Sequence, residues 1–198
     1  MNPPDLLIAL KPVIDVFAQL SISYYIGGSV ASSLYGMSRA TMDVDIIADI
    51  KKYHVQKLVT LLESKYYIDA DMIFAAIQSS SSFNIIHLDT AYKIDIFIFK
   101  DEPHLQNALE RKVKDSIDSE HDFECYFSTP EDIIIAKLIW FEQGGRISER
   151  QWKDILGVIK VQSHNLDFEY LKRWSEKLGI FDLLNHAMLE SGIELSGQ

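Results

Sequence analysis

Apolar residues recur along the chain with two periods, and the change between them divides it. Leu6, Leu7, Leu10, Val13, Ile14, Phe17 and Leu20 repeat every three or four positions, which predicts an amphipathic helix with Pro3 and Pro4 near its start. Tyr24-Tyr25-Ile26 is a short aromatic run that reads as a buried strand, ended by Gly27-Gly28-Ser29. A short helix is expected from Val30 to Tyr35, stopped near Gly36, and a second strand over Val44-Asp45-Ile46-Ile47-Ala48. Tyr53 to Ser64 carries Val55, Leu58, Val59 and Leu62 on one side, and Asp69 to Ile77 reads as a further helix. Four serines at 79–82 form the most linker-like segment. Phe83 to Leu88 and Tyr92 to Phe99 read as a hairpin around Asp89-Thr90, Leu105 to Lys112 as a helix, and Phe123 to Phe127 as a strand.

After Ser128-Thr129-Pro130-Glu131 the strand period disappears. A Ser or Thr cap, Pro at the first helical position and acids in the first turn mark a helix start. Helices are expected over about 131–143, 149–161, 167–178 and 180–192. The pattern therefore predicts an α+β protein: a mixed-sheet core with flanking helices over 1–128, and a C-terminal helical region over 129–198 completing a cleft. No internal repeat interrupts this plan.

Composition changes the picture in few places. The 198 residues are 47% apolar, enough for a proper core. The formal net charge of −10 argues against broad electrostatic binding to DNA or RNA, which needs clustered Lys and Arg, and would suit a cationic substrate. A single cysteine, Cys125, rules out an internal disulfide framework and fits a reducing cytosol. No run of about 18 apolar residues is present to span a bilayer and the N-terminus lacks a basic leader, so a cytoplasmic protein with no membrane partner is expected. Cys125 reads as a packed thiol, and the six histidines show no metal-ligand spacing.

Three fragments carry candidate chemistry. In Gly27-Gly28-Ser29 the glycines permit a tight turn and close approach of the backbone to a ligand, and amides at the following helix start can hold an anion, with the Ser29 hydroxyl as a further donor. The same tripeptide also serves as a plain turn. In Asp43-Val44-Asp45 the alternation of a strand puts both carboxylates on one face, where they repel unless a cation lies between them, and carboxylate oxygens are what Mg²⁺ prefers. Asp45 is followed by two isoleucines, and Asp95 stands within Ile94-Asp95-Ile96-Phe97-Ile98, so both are expected to be buried carboxylates on neighbouring strands sharing one metal. A lysine or arginine partner for Asp95 is the competing expectation.

The order of these fragments resembles the nucleotidyltransferase superfamily, which includes polymerase β-like enzymes, antibiotic nucleotidyltransferases and CCA-adding enzymes. Tyr25-Ile26-Gly27-Gly28-Ser29-Val30-Ala31 followed by Arg39-Ala40-Thr41-Met42-Asp43-Val44-Asp45-Ile46 is most similar to its AbiEii/AbiGii toxin-type branch. The resemblance implies a nucleotidyltransferase core with two Mg²⁺ ions held by Asp43, Asp45 and Asp95, which are also the catalytic residues. It implies an NTP substrate whose phosphates meet Gly27, Gly28 and Ser29. Arg39 reaches phosphate or pairs with an acid. Lys137, a lone cation in Ile133-Ile134-Ile135-Ala136-Lys137-Leu138-Ile139-Trp140-Phe141, is implied to contact the nucleotide and Asp154 to position it, while a Lys137–Asp154 ion pair across two helices fits the same residues.

The implied reaction moves an NMP from the NTP to an acceptor hydroxyl of RNA, protein or a small molecule, with release of pyrophosphate. For the toxin-type branch a protein antitoxin is an expected partner. The competing reading is a non-catalytic nucleotide-binding or partner-binding protein that keeps the fold. Trp140, Trp152 and Trp174 are expected to pack between helices.

Overall fold

Alternation of exposure along the longest strands fixes the architecture. In the computed structural model, which describes residues 3–37, 43–116 and 123–193, the chain forms two compact units. The first holds described residues 3–27, 43–116 and 123–127, and the second 28–37 and 128–193.

The first unit contains α1 (Pro3–Gln19), β1 (Tyr24–Ile26), β2 (Asp43–Ala48), α3 (Val55–Leu62), β3 (Tyr66–Tyr67), α4 (Ala70–Ser79), β4 (Ser82–His87), β5 (Lys93–Ile98), α5 (Pro103–Arg111), β6 (Val113–Ser116) and β7 (Glu124–Phe127). A short 3-10 turn, Lys52–His54, leads into α3. Helix α2 (Gly28–Tyr35) falls in the second unit. All seven strands join one sheet in the order β3-β4-β5-β2-β1-β7-β6. It is mixed: β2 runs parallel to β5 and β1 parallel to β7, while β1–β2, β4–β5, β3–β4 and β6–β7 are antiparallel.

The two faces of this sheet differ sharply. Val44, Ile46 and Ala48 of β2, Ile94, Ile96 and Ile98 of β5, and Phe83 and Ile85 of β4 are buried, whereas their neighbours on the other face are only half-buried. Each isoleucine so buried contributes roughly 1.5–3 kcal/mol. A one-residue slip of β2 or β5 would expose that set and drive Asp43, Asp45 and Asp95 into the apolar layer, so the register is strongly specified. Leu6, Leu10, Val13 and Phe17 of α1 and Leu58, Leu62 and Ile73 of the following helices are fully buried. The Tyr66 hydroxyl donates to the Ala9 carbonyl at 2.7 Å, tying the sheet edge to α1.

The hairpin around Asp89-Thr90 forms as expected. The four serines are no linker: Ser79 closes α4, Ser80 adopts the left-handed conformation as its cap, and Ser82 already pairs with Phe97. The strands β3 and β6 were not expected. They are short, and Val113 to Ser116 carries no apolar alternation.

The second unit contains α2, α6 (Pro130–Gln143), α7 (Glu149–Gln162), α8 (Phe168–Leu178) and α9 (Phe181–Glu190). The helix start at Thr129 does more than cap. The Thr129 hydroxyl accepts from the Asp132 amide and donates to the Asp132 carboxylate at 2.7 Å, and Tyr170 donates to the same carboxylate at 2.5 Å. Glu131 accepts from the Asp167 amide at 3.0 Å. The two buried acids thereby fasten the start of α6 to the start of α8.

Helix α2 packs on α6 and α7. A β-carbon on Gly36 would stand 2.8 Å from the Ser32 carbonyl oxygen and 2.9 Å from the Val158 amide, so only glycine allows this approach. Helix α6 is buried on most sides, but Ala136 and Trp140 form an open stripe. Trp140, expected between helices, is 52% exposed, because its position four residues after Ala136 puts it on that stripe. Trp174 is buried, and Trp152 stacks between Phe141 and His186.

Candidate active site

Register brings the expected acids together. Asp43 pairs with Lys93 and Asp45 with Asp95 on the parallel strands β2 and β5. Directly paired residues on adjacent strands stand about 5 Å apart and point to the same side. Asn84 of β4 lies opposite Asp95, and the Gly27 amide donates to the Asp45 carbonyl at 2.9 Å. One row of the sheet therefore reads Asn84, Asp95, Asp45, Gly27.

These carboxylates are not buried. Asp43, Asp45 and Asp95 lie on the half-open face, and the isoleucines that flank them in sequence point the other way. The apolar neighbours that suggested burial are the alternate positions of a two-faced strand.

Lys93 supplies positive charge on this face. Its Nζ lies 2.7 Å from Oδ2 of Asp95, with the lysine side chain 44% and the aspartate 20% exposed. The hydrogen bond it donates to Asp95 holds the Lys93 ammonium above the ordinary lysine range, and the charges of Asp95, Asp43 and Asp45 add to it. Sequence reading left Lys93 out, although Lys-x-Asp at the head of a strand puts both side chains on one face. The lysine partner expected as the competing reading for Asp95 is this residue.

Oxygen-only donors at adjoining register positions are the chemistry that Mg²⁺ requires. As the side chains stand, however, no three His, Cys, Asp or Glu among the described residues converge closely enough to hold a metal ion. Lys93 engages one of the two oxygens of Asp95. The donor set suits the ion, and in the arrangement seen Asp95 is paired with an ammonium.

Gly28, Ser29, Lys137 and Asp154 belong to the helical unit. Gly28 adopts φ of 55°, a left-handed conformation that favours glycine, so the tripeptide turns as its composition requires. Its carbonyl accepts from the Ser32 hydroxyl at 2.6 Å. Lys137 of α6 and Asp154 of α7 form an ion pair at 2.9 Å, with side chains only 10% and 8% exposed. Arg39 and Thr41 lie outside the described residues. Cys125 is buried, and burial pushes its thiol up to about 12, so it has no nucleophile character at neutral pH.

Two solved structures share the architecture. The antibiotic-resistance factor ANT(2'')-Ia superposes with a TM-score of 0.55 at 12% identity, over 91% of this chain and 96% of its own. An antigenic nucleotidyltransferase-like protein from Paracoccidioides brasiliensis gives 0.53 at 16% identity, over 98% and 95%. The chain has the nucleotidyltransferase fold. This fold comprises the seven-stranded mixed sheet with its flanking helices, and the match spans nearly the whole of both neighbours. No protein-family model matches the chain, and no curated protein matches it.

Proposed function

We propose that the protein is a Mg²⁺-dependent nucleotidyltransferase that moves an NMP from an NTP to an acceptor hydroxyl. The observation that carries this reading is the register of Asp43, Asp45 and Asp95 on one half-open sheet face within a nucleotidyltransferase fold. In the reaction the acceptor oxygen attacks the α-phosphorus, its proton passes to a carboxylate, and the bond to the leaving pyrophosphate breaks. Bound Mg²⁺ would neutralise charge on the triphosphate and on the attacking oxygen.

Asp43 and Asp45 are proposed as the residues that hold the metal-bound triphosphate, and Asp95 as a further ligand and the group that takes the acceptor proton. Gly27, Gly28 and Ser29 are proposed to meet phosphate through amides and a hydroxyl. Lys137, positioned by Asp154, and Arg39 are proposed as further nucleotide contacts, each tested by its own substitution.

The acceptor class is RNA, protein or a small molecule. An acidic chain favours a cationic small molecule, and one fold neighbour is an antibiotic-resistance factor. The AbiEii-type motif order instead supports a toxin-type enzyme with an antitoxin partner in the reducing cytoplasm. A second reading, nucleotide binding without transfer, draws on the Lys93–Asp95 pair, which already satisfies one of the acids.

Incubation with Mg²⁺, each labelled NTP, and pooled RNA, protein and aminoglycoside acceptors distinguishes the two. Transfer that falls by about 10³-fold or more in Asp43→Asn or Asp95→Asn supports the enzyme. Calorimetric binding of Mg-NTP without any transfer supports the second reading, and neither binding nor transfer would overturn both.

A further inference from the structure

Lys93 has no task in the transfer reaction, yet it stands in the middle of the carboxylate face. It opens β5 opposite Asp43 and precedes Asp95 by two positions, so one ammonium and three carboxylates project from the same face of two adjoining strands. With Asp95 at 2.7 Å, it is a cation that offsets repulsion among these acids.

An ammonium and a divalent cation compete for the same feature of Asp95, the lone pairs of its oxygens. The divalent ion brings twice the charge and binds carboxylates directly. The Lys93–Asp95 pair is partly exposed, at 44% and 20%, and such pairs are weak. It can be given up at little cost, unlike the nearly dry Lys137–Asp154 pair. Lys93 also has the reach to leave, because its flexible four-carbon stem starts at the first residue of the strand.

We propose that Lys93 is a positioning residue that acts as the resident counter-ion of the acids while no metal is bound and cedes Asp95 to the divalent cation when one arrives. This rests on the reading of Asp43, Asp45 and Asp95 as metal ligands. Cation binding is then an exchange of one positive group for another, and the affinity for metal is set in part by the lysine.

Calorimetric titration of the full chain with Mn²⁺ alone, for wild type, Lys93→Met and Lys93→Arg, tests it, together with melting curves with and without Mn²⁺. Lys93→Met is expected to bind Mn²⁺ about tenfold tighter than wild type, because a like charge has been removed from the site. Lys93→Arg is expected to stay within about twofold of wild type, since the charge is kept. The metal-free Lys93→Met protein is expected to melt below wild type, with the gap closing at saturating Mn²⁺. Equal or weaker Mn²⁺ binding by Lys93→Met overturns the exchange and leaves the acids standing as ligands. No Mn²⁺ binding by any of the proteins overturns both. Lys93→Gln makes the same comparison if the methionine variant does not fold.

Discussion

Lys137 and Asp154 are two opposite charges almost removed from water and paired at 2.9 Å. Removing one leaves the other charged and buried. Lys137→Met is expected to cost about 3–5 kcal/mol, and Lys137→Met with Asp154→Leu to recover most of that loss. Urea melts of the single and double variants measure both numbers, and a single variant as stable as the double would contradict the pairing. Cys125 offers a second measurement. Because burial raises its thiol from 9.0 to about 12, the reactive thiolate is rare at pH 8. Alkylation of the native protein is therefore expected to proceed only as fast as the sheet opens, and to become immediate in denaturant.

Elements inherit their stability from such residues. The joint between α6 and α8 runs through the Asp132 carboxylate, which receives Thr129 and Tyr170. Tyr170→Phe removes one donor from a buried anion and is expected to cost about 1.5–3 kcal/mol. Thr129→Ala also removes the helix cap, at about 1 kcal/mol for the cap alone. Because both act on one carboxylate, the double variant should lose less or more than the sum, and a double-mutant cycle in guanidinium reads the coupling.

Most elements could be read from apolar period alone, because both the α1 stripe and the alternation in β2, β4 and β5 are strong local signals. The short strands β3 and β6 could not, since their pairing is supplied by a neighbour and not by their own sequence. The acids of the candidate site were legible as Asp-x-Asp and Ile-Asp-Ile. Their exposure was misread, because an isoleucine beside an aspartate in a strand faces away from it. Asn84 could not be read, because the register that sets it opposite Asp95 is a property of two strands and not of one, whereas Lys93 was within reach as Lys-x-Asp on a single strand.

At the scale of the whole molecule, charge discriminates among acceptors. With a formal net charge of −10, encounter with RNA is opposed and encounter with a cation assisted. If the acceptor is a cationic small molecule, its kcat/KM is expected to fall as salt rises from 50 to 200 mM, by roughly a few-fold, as screening shortens the reach of the field. An anionic acceptor gives a flat or rising dependence over the same range. Among the described residues no helix is long and apolar enough to cross a membrane.

The sheet order has a consequence for the birth of the protein. Strand β1, near the start of the chain, finds its parallel neighbour β7 about one hundred residues later, and β2 waits some fifty residues for β5. Neither pairing closes a local loop, so a nascent chain on the ribosome carries the unsatisfied edges of β1 and β2 until β7 and β5 have emerged. The acid face comes into existence only when β5 has emerged and docked. A truncated or stalled chain ending before residue 93 has Asp43 and Asp45 but not the strand that completes them, and so carries no assembled site into the cell.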